Sequence, residues 1–171
     1  MVFRRCRSIV VCDAGADPEY AYEDLGNAVR KIRVDLGIPI EFPEPMPMSP
    51  ARKPTGEHDG RHCAIGKIRY SAIDGTLPEN DGVLVYIKAS LDGDEPADVL
   101  HYASKDPRFP HQPTPDQFFD EAQFESYRRL GLHIVEKIVF KPGRTCKLDL
   151  GDFMASAREY AKVKHESGSA I

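Results

Sequence analysis

Tryptophan is absent from this 171-residue sequence, and cysteine occurs only four times, at Cys6, Cys12, Cys63 and Cys146. No CxxC pair joins them, so neither a zinc ribbon nor a cysteine-dense disulfide scaffold is encoded, and the expectation is reduced thiols, mostly buried. No apolar run approaches the length needed to cross a bilayer. The basic start, Met1 to Arg7, leads into Ile9-Val10-Val11-Cys12, too short for the apolar region of a signal peptide, and Asp13 ends it. No GxSxG stands for a nucleophile elbow, no GxxxxGK[ST] for a P-loop and no GxGxxG for a dinucleotide turn. Nor is there an excess of positive charge. With a net charge of −4, a uniformly basic nucleic-acid surface is not expected.

What is present suits one α/β domain. Hydrophobic residues make up 41% of the chain, enough for a core over this length but not for two full domains. Ser8 to Cys12 is a short continuous apolar run with β-branched residues, and Asp13-Ala14-Gly15-Ala16-Asp17-Pro18 stops it. That pattern predicts a buried parallel strand. Helical spacing follows in Leu25, Ala28, Val29, Ile32 and Leu36, with Asp17 as candidate N-cap, Pro18 in the first turn and Gly37 as C-cap. A second short strand at 38–42 completes a βαβ unit within a mainly parallel sheet. Five prolines between Pro43 and Pro54 make 43–61 a loop or lid-like excursion.

His62 to Ile73 and Val83 to Ala89 read as the arms of an antiparallel hairpin, with turn chemistry from Asp74 to Gly82. A short helix is predicted from Pro96 to Ser104. A long amphipathic helix is marked by Phe118, Phe119, Ala122, Phe124, Tyr127, Leu130, Ile134, Val135 and Ile138, with a break near Gly131. A last helix runs from Leu150 to Val163. Residues 1–165 are expected to form one domain and 166–171 a disordered tail.

Several residues invite a chemical reading beside a plainer one. Asp13, at the end of a strand, suits an acid–base role with His111, but Asp13 and Asp17 equally suit turn formation and helix capping. His58, His62 and Cys63 are metal-ligand types, yet no second CxxC or HxxxH completes a tetrahedral set, so no metal or other cofactor is expected. Phe118, Phe119, Phe124 and Tyr127, with His111, are candidates to line a substrate channel, whereas an aromatic stripe on a helix is also ordinary core. Arg30, Lys31 and Arg33 with Asp24 and Asp35 form a solvated face of weak ion pairs, and Arg128 has Glu125 one turn away as a partner.

Three blocks carry a resemblance. Arg4-Arg5-Cys6-Arg7-Ser8-Ile9-Val10-Val11-Cys12-Asp13-Ala14-Gly15-Ala16-Asp17-Pro18 and Glu23-Asp24-Leu25-Gly26-Asn27-Ala28-Val29-Arg30-Lys31-Ile32-Arg33-Val34-Asp35-Leu36-Gly37 resemble bacterial patatin-like phospholipases. So does Phe109-Pro110-His111-Gln112-Pro113-Thr114-Pro115-Asp116-Gln117-Phe118-Phe119, followed by Phe124 to Gly131. The likeness covers roughly residues 3 to 131, and the architecture is distantly similar to the cytosolic phospholipases. It implies a partial patatin-like three-layer α/β fold and a lipid acyl hydrolase in which a GxSxG serine attacks the ester, a DGG-type aspartate takes its proton and a glycine-rich loop holds the oxyanion. In the family the aspartate motif lies just upstream of the block matched by Arg4 to Cys12, so neither dyad residue has a position here and no catalytic residue is assigned. The resemblance thus implies a C-terminal portion, inactive alone, whose partners are lipid or an upstream patatin-like segment. It further implies self-association through the incomplete sheet, and a location in the cytoplasm or peripheral to the inner face of a membrane. A non-catalytic interaction module derived from that fold is the alternative.

Overall fold

The computed structural model describes residues 1–42, 46, 48, 61–113, 115–139 and 149–162. The chain is α/β. Four strands, β1 (Ser8–Asp13), β2 (Ile40–Glu41), β3 (Cys63–Ile68) and β4 (Gly82–Lys88), form one sheet in the order β1-β4-β3-β2. The helices are α1 (Glu23–Leu36), α2 (Ser71–Asp74), α3 (Ala97–Lys105), α4 (Glu121–Val139) and α5 (Leu150–Lys162). Among the described residues, no helix is long and apolar enough to cross a membrane.

Side-chain alternation along β4 divides the core in two, as the pleat requires. Leu84 and Tyr86 pack on the side of Ile9, Ile40 and Ile68, where α1 contributes the half-buried Leu25, Val29, Ile32 and Leu36. Val85 and Ile87 point to the other side, against Val99 of α3, Leu130, Ile134 and Ile138 of α4, and Met154 and Ala157 of α5. The spacing of four between these α4 residues is why one stripe of that helix is buried. The sheet thus lies between α1 and the group α3, α4 and α5.

The sheet is mixed rather than mainly parallel. Only β1 and β4 pair parallel, with Ile9 opposite Leu84 and Asp13 opposite Lys88, while β4–β3 and β3–β2 are antiparallel. The expected hairpin is present as β3–β4 and sits in the middle of the sheet. It separates β1 from β2, so the βαβ crossover through α1 joins two co-directional strands that are not neighbours. Strand β1 is an edge, paired on one side among the described residues, and its burial is partial rather than complete.

Other boundaries shift for local reasons. Helix α1 starts at Glu23, not near residue 19, because Asp17 accepts from the Ala21 and Tyr22 amides at 2.8 and 3.1 Å and so closes a turn ahead of the helix. Strand β3 stops at Ile68: Ser71 donates its amide to Asp81 at 2.9 Å, which turns the chain into α2. Helix α4 starts only at Glu121, where Asp120 accepts from the Gln123 amide at 2.7 Å. Phe118 and Phe119 therefore precede it, and Gly131 lies inside an unbroken helix. The tail expected at 166–171 and most of the 43–61 loop fall outside the described residues.

Gly82, where β4 begins, is fixed by space. A Cβ there would lie 2.7 Å from Tyr70 Cε2 and 3.2 Å from the Cys6 carbonyl oxygen. Tyr70 is buried and its hydroxyl donates to that same carbonyl at 2.8 Å, so the ring is held in place. Gly82→Ala should therefore cost about 1–3 kcal/mol through overpacking, read as a lower urea midpoint. An unchanged midpoint would show that the Tyr70 ring yields.

Candidate functional site

Parallel strands β1 and β4 end side by side at Asp13 and Lys88, and the carboxyl ends of such strands are where α/β sheets usually place ligands. Lys88 is buried, and its Nζ donates to Asp13 Oδ2 and to the Gly15 carbonyl, both at 3.1 Å, with Asp17 Oδ2 at 3.8 Å. Asp13 also accepts from the Tyr86 hydroxyl and, at 2.7 Å, from the Gly15 amide. Burial raises the affinity of the Asp13 carboxyl for its proton, but the Tyr86, Gly15 and Lys88 donors outweigh it and hold the pKa below the ordinary value. Burial, reinforced by Asp13, pushes the Tyr86 phenol well up.

The loop from Asp13 to Tyr22 wraps this cluster. Tyr20 and Tyr22 adopt left-handed backbone conformations, φ 51° and 55°, that side chains with a Cβ disfavour by roughly 1–3 kcal/mol each. The Tyr20 ring packs edge-on against His111, centroids 5.2 Å apart, and the Asp17 amide donates to His111 Nδ1 at 3.4 Å. Burial and the Lys88 charge lower the His111 pKa, against the pull of Asp17, the Gly15 carbonyl and Asp13, so the imidazole is neutral near pH 7. Its Nε2 is buried and makes no hydrogen bond of normal geometry among the described residues.

Asp13 and His111 thus lie in one cluster but share no hydrogen bond. Asp13 has its acceptor capacity committed to three donors, and Asp17 caps the loop. Chemically the cluster ties the ends of β1 and β4 together and stores a neutral histidine beside a buried ammonium. Sequence reasoning found Asp13 and His111 but not Lys88, Tyr86 or Tyr20. A lysine ending an apolar strand, Val83 to Lys88, is the available signal, since a buried ammonium needs a carboxylate.

The channel candidates are dispersed. Phe118 is 97% exposed and Phe124 62% exposed. Phe119 stacks on Tyr127, which meets Phe109 edge-on at 4.8 Å. Phe109 and Tyr127 belong to the core beneath α4 and Phe119 is 45% exposed; buried Gln123 supports the group, its Nε2 donating to Gln112 Oε1 at 3.2 Å and Asp116 Oδ2 at 3.0 Å. An apolar cleft of about 590 Å³ lies elsewhere, on the opposite face, walled by Phe3, Val11, Leu25, Val29, Ile32 and Leu84. It separates α1 from the sheet, and no residue of α1 is fully buried.

Of the metal-type residues, His58 lies outside the described residues. His62 and Cys63 are buried, and burial pushes the Cys63 thiol up to about 12, which leaves it an inert core group. No protein-family model, curated protein or solved structure matches the chain.

Proposed function

We propose that the chain forms the C-terminal part of a patatin-like lipid acyl hydrolase, a scaffold whose serine and aspartate are supplied by an upstream segment packed against β1. The observation that carries this reading is the apolar cleft between α1 and the sheet, adjoining the free edge of β1. An amphipathic helix with no fully buried residue and a half-exposed apolar edge strand are an unfinished core layer. The three blocks of patatin-like sequence include β1 and α1, the two walls of that cleft. In the assembled enzyme the serine attacks the ester carbonyl and the aspartate receives its proton. This chain's residues would set the strand beside the aspartate, with His111 near the ends of β1 and β4. Such an enzyme works in the cytoplasm or at the inner face of a membrane.

The interaction-module reading has one observation in its favour: Asp13, the acid nearest the strand ends, already accepts from three donors of this chain. Co-expression with a patatin-like fragment bearing GxSxG and DGG separates the two. The lipase reading expects a stable pair that hydrolyses p-nitrophenyl esters or phospholipid, no turnover by this chain alone, and loss of pairing on Val29→Glu in the cleft. A stable but inactive pair points to the interaction module. Turnover by the chain alone that vanishes on Ser71→Ala, Ser90→Ala or Ser126→Ala overturns both.

A further inference from the structure

A second polar cluster is built by three separate segments: His62 just before β3, Glu95 in the loop leading to α3, and His133 in α4. Each offers one ligand atom, and the three atoms lie within 4.8 Å of one another. His62 and Glu95 are buried, and the His133 side chain is 15% exposed.

The protonation pattern favours ligation. His62 Nδ1 lies 2.8 Å from Ser90 Oγ, whose own hydroxyl donates to the Lys88 carbonyl at 3.4 Å. With the proton on Nδ1, donated to the serine oxygen, the lone pair lies on Nε2. That atom is fully buried and has no hydrogen-bond partner among the described residues. A metal-binding histidine is normally oriented in this way, with its second nitrogen tied to an outer hydrogen-bond partner. Glu95 is held rigid by the Asp92 amide and, at 2.9 Å, the Gly93 amide, and each oxygen retains a lone pair. His133 has an outer carboxylate, with Nε2 3.2 Å from Asp94 Oδ1.

Charge points the same way. Glu95, Asp92 and Asp94 set three carboxylates against the Lys137 ammonium, which lies 3.1 Å from Asp92 and 2.7 Å from Asp94. A divalent cation would offset the excess. Four-coordinate zinc with bonds of ~2.1 Å asks for donors ~3.4 Å apart, within reach of small side-chain rotations from the present spread.

We propose that His62, Glu95 and His133 form a binding site for a divalent transition ion of the zinc class, with water completing the coordination and Ser90 and Asp94 positioning the two histidines. Two imidazoles and one carboxylate are the donor set of known open zinc sites, and the mixture favours zinc, cobalt or nickel over magnesium or calcium.

The test is titration of the chelator-treated full chain with Zn²⁺ by calorimetry and with Co²⁺ by visible absorption. One ion per chain is expected. His62→Gln and His133→Gln should each weaken binding at least ~100-fold, and Ser90→Ala by roughly tenfold or more, as loss of an outer partner does. Because His62 is buried and its variant risks unfolding, the wild-type chain supplies an independent measure. Zn²⁺ should shift the imidazole NMR signals of His62 and His133 together and raise the thermal midpoint by mass action. Absence of saturable binding, binding unchanged in the folded His133→Gln variant, or shifts confined to other histidines would overturn the site.

Discussion

Replacing Lys88 with methionine should destabilise the protein by about 3–5 kcal/mol, the usual result of leaving one partner of a buried ion pair uncompensated, or roughly 10 °C in the melting midpoint for a chain of this size. The expectation follows from burial on both sides: the Lys88 side chain is 2% exposed and that of Asp13 15%. Water can therefore do little for the carboxylate once the ammonium is gone. Methionine keeps the stem and its packing, so the loss reports charge and hydrogen bonding rather than a cavity. Pairing Lys88→Met with Asp13→Asn removes both charges and should recover a large part of the deficit, since the amide oxygen can keep the Gly15 N–H bond while its NH2 group donates to the Tyr86 hydroxyl oxygen. A double-mutant cycle measured by urea unfolding gives the coupling directly. Coupling near zero would mean that the three contacts of Lys88 do not act as a unit.

The same cluster sets an acid limit. The folded pKa of Asp13 is depressed by Tyr86, Gly15 and Lys88 against the opposing effect of burial. Its contribution is present above the ordinary carboxylate range and is lost as pH falls through the folded pKa, because the unfolded chain takes up the proton first. Lys88→Met should shrink that acid-side loss.

Much of the scaffold was legible from short-range pattern. Ser8 to Cys12, the 25–36 spacing, the hairpin arms and the α4 stripe each follow from burial on one face, and each is present with its boundary moved by a few residues. Sheet order was not legible. The insertion of the β3–β4 hairpin between β1 and β2 depends on contacts such as Asp13 with Lys88, 75 positions apart. Periodicity contains nothing about such pairings. The helix starts were misread for a physical reason: Asp17 and Asp120 are both capping residues, but Asp17 spends its carboxylate on a turn five residues before the N-cap Tyr22. The channel aromatics were misplaced by the same boundary error, since Phe118 lies before α4 and points to solvent. The His62 cluster was hidden because its members come from the residue before β3, a loop and α4. Spacing rules that compared His62 with His58 and Cys63 could not find Glu95 or His133.

Acid should weaken the metal-free protein well before Asp13 titrates, and His62 should be the cause. Burial lowers its pKa to about 4, with Lys137 and His133 acting in the same direction and Asp92 and Asp94 opposing them. In the unfolded chain the imidazole returns to its ordinary value near 6.5. Between these values the unfolded state binds a proton that the folded state refuses. Stability is then complete above the unfolded pKa and declines as pH falls toward the folded one. At 1.36 kcal/mol per unit, the loss across the window is about 3 kcal/mol. His62→Gln should be less stable at pH 7, because the amide fits the Ser90 contact imperfectly, but its stability should fall less between pH 6.5 and pH 4, the remaining slope coming from His111, whose pKa burial also lowers. Chelator must be present throughout, since an ion bound to Nε2 would exclude the proton and flatten the wild-type curve too. Urea midpoints at half-unit pH intervals supply the measurement. A wild-type profile as flat as that of His62→Gln would mean that Nε2 accepts its proton in the folded state, with Asp92 and Asp94 prevailing over burial.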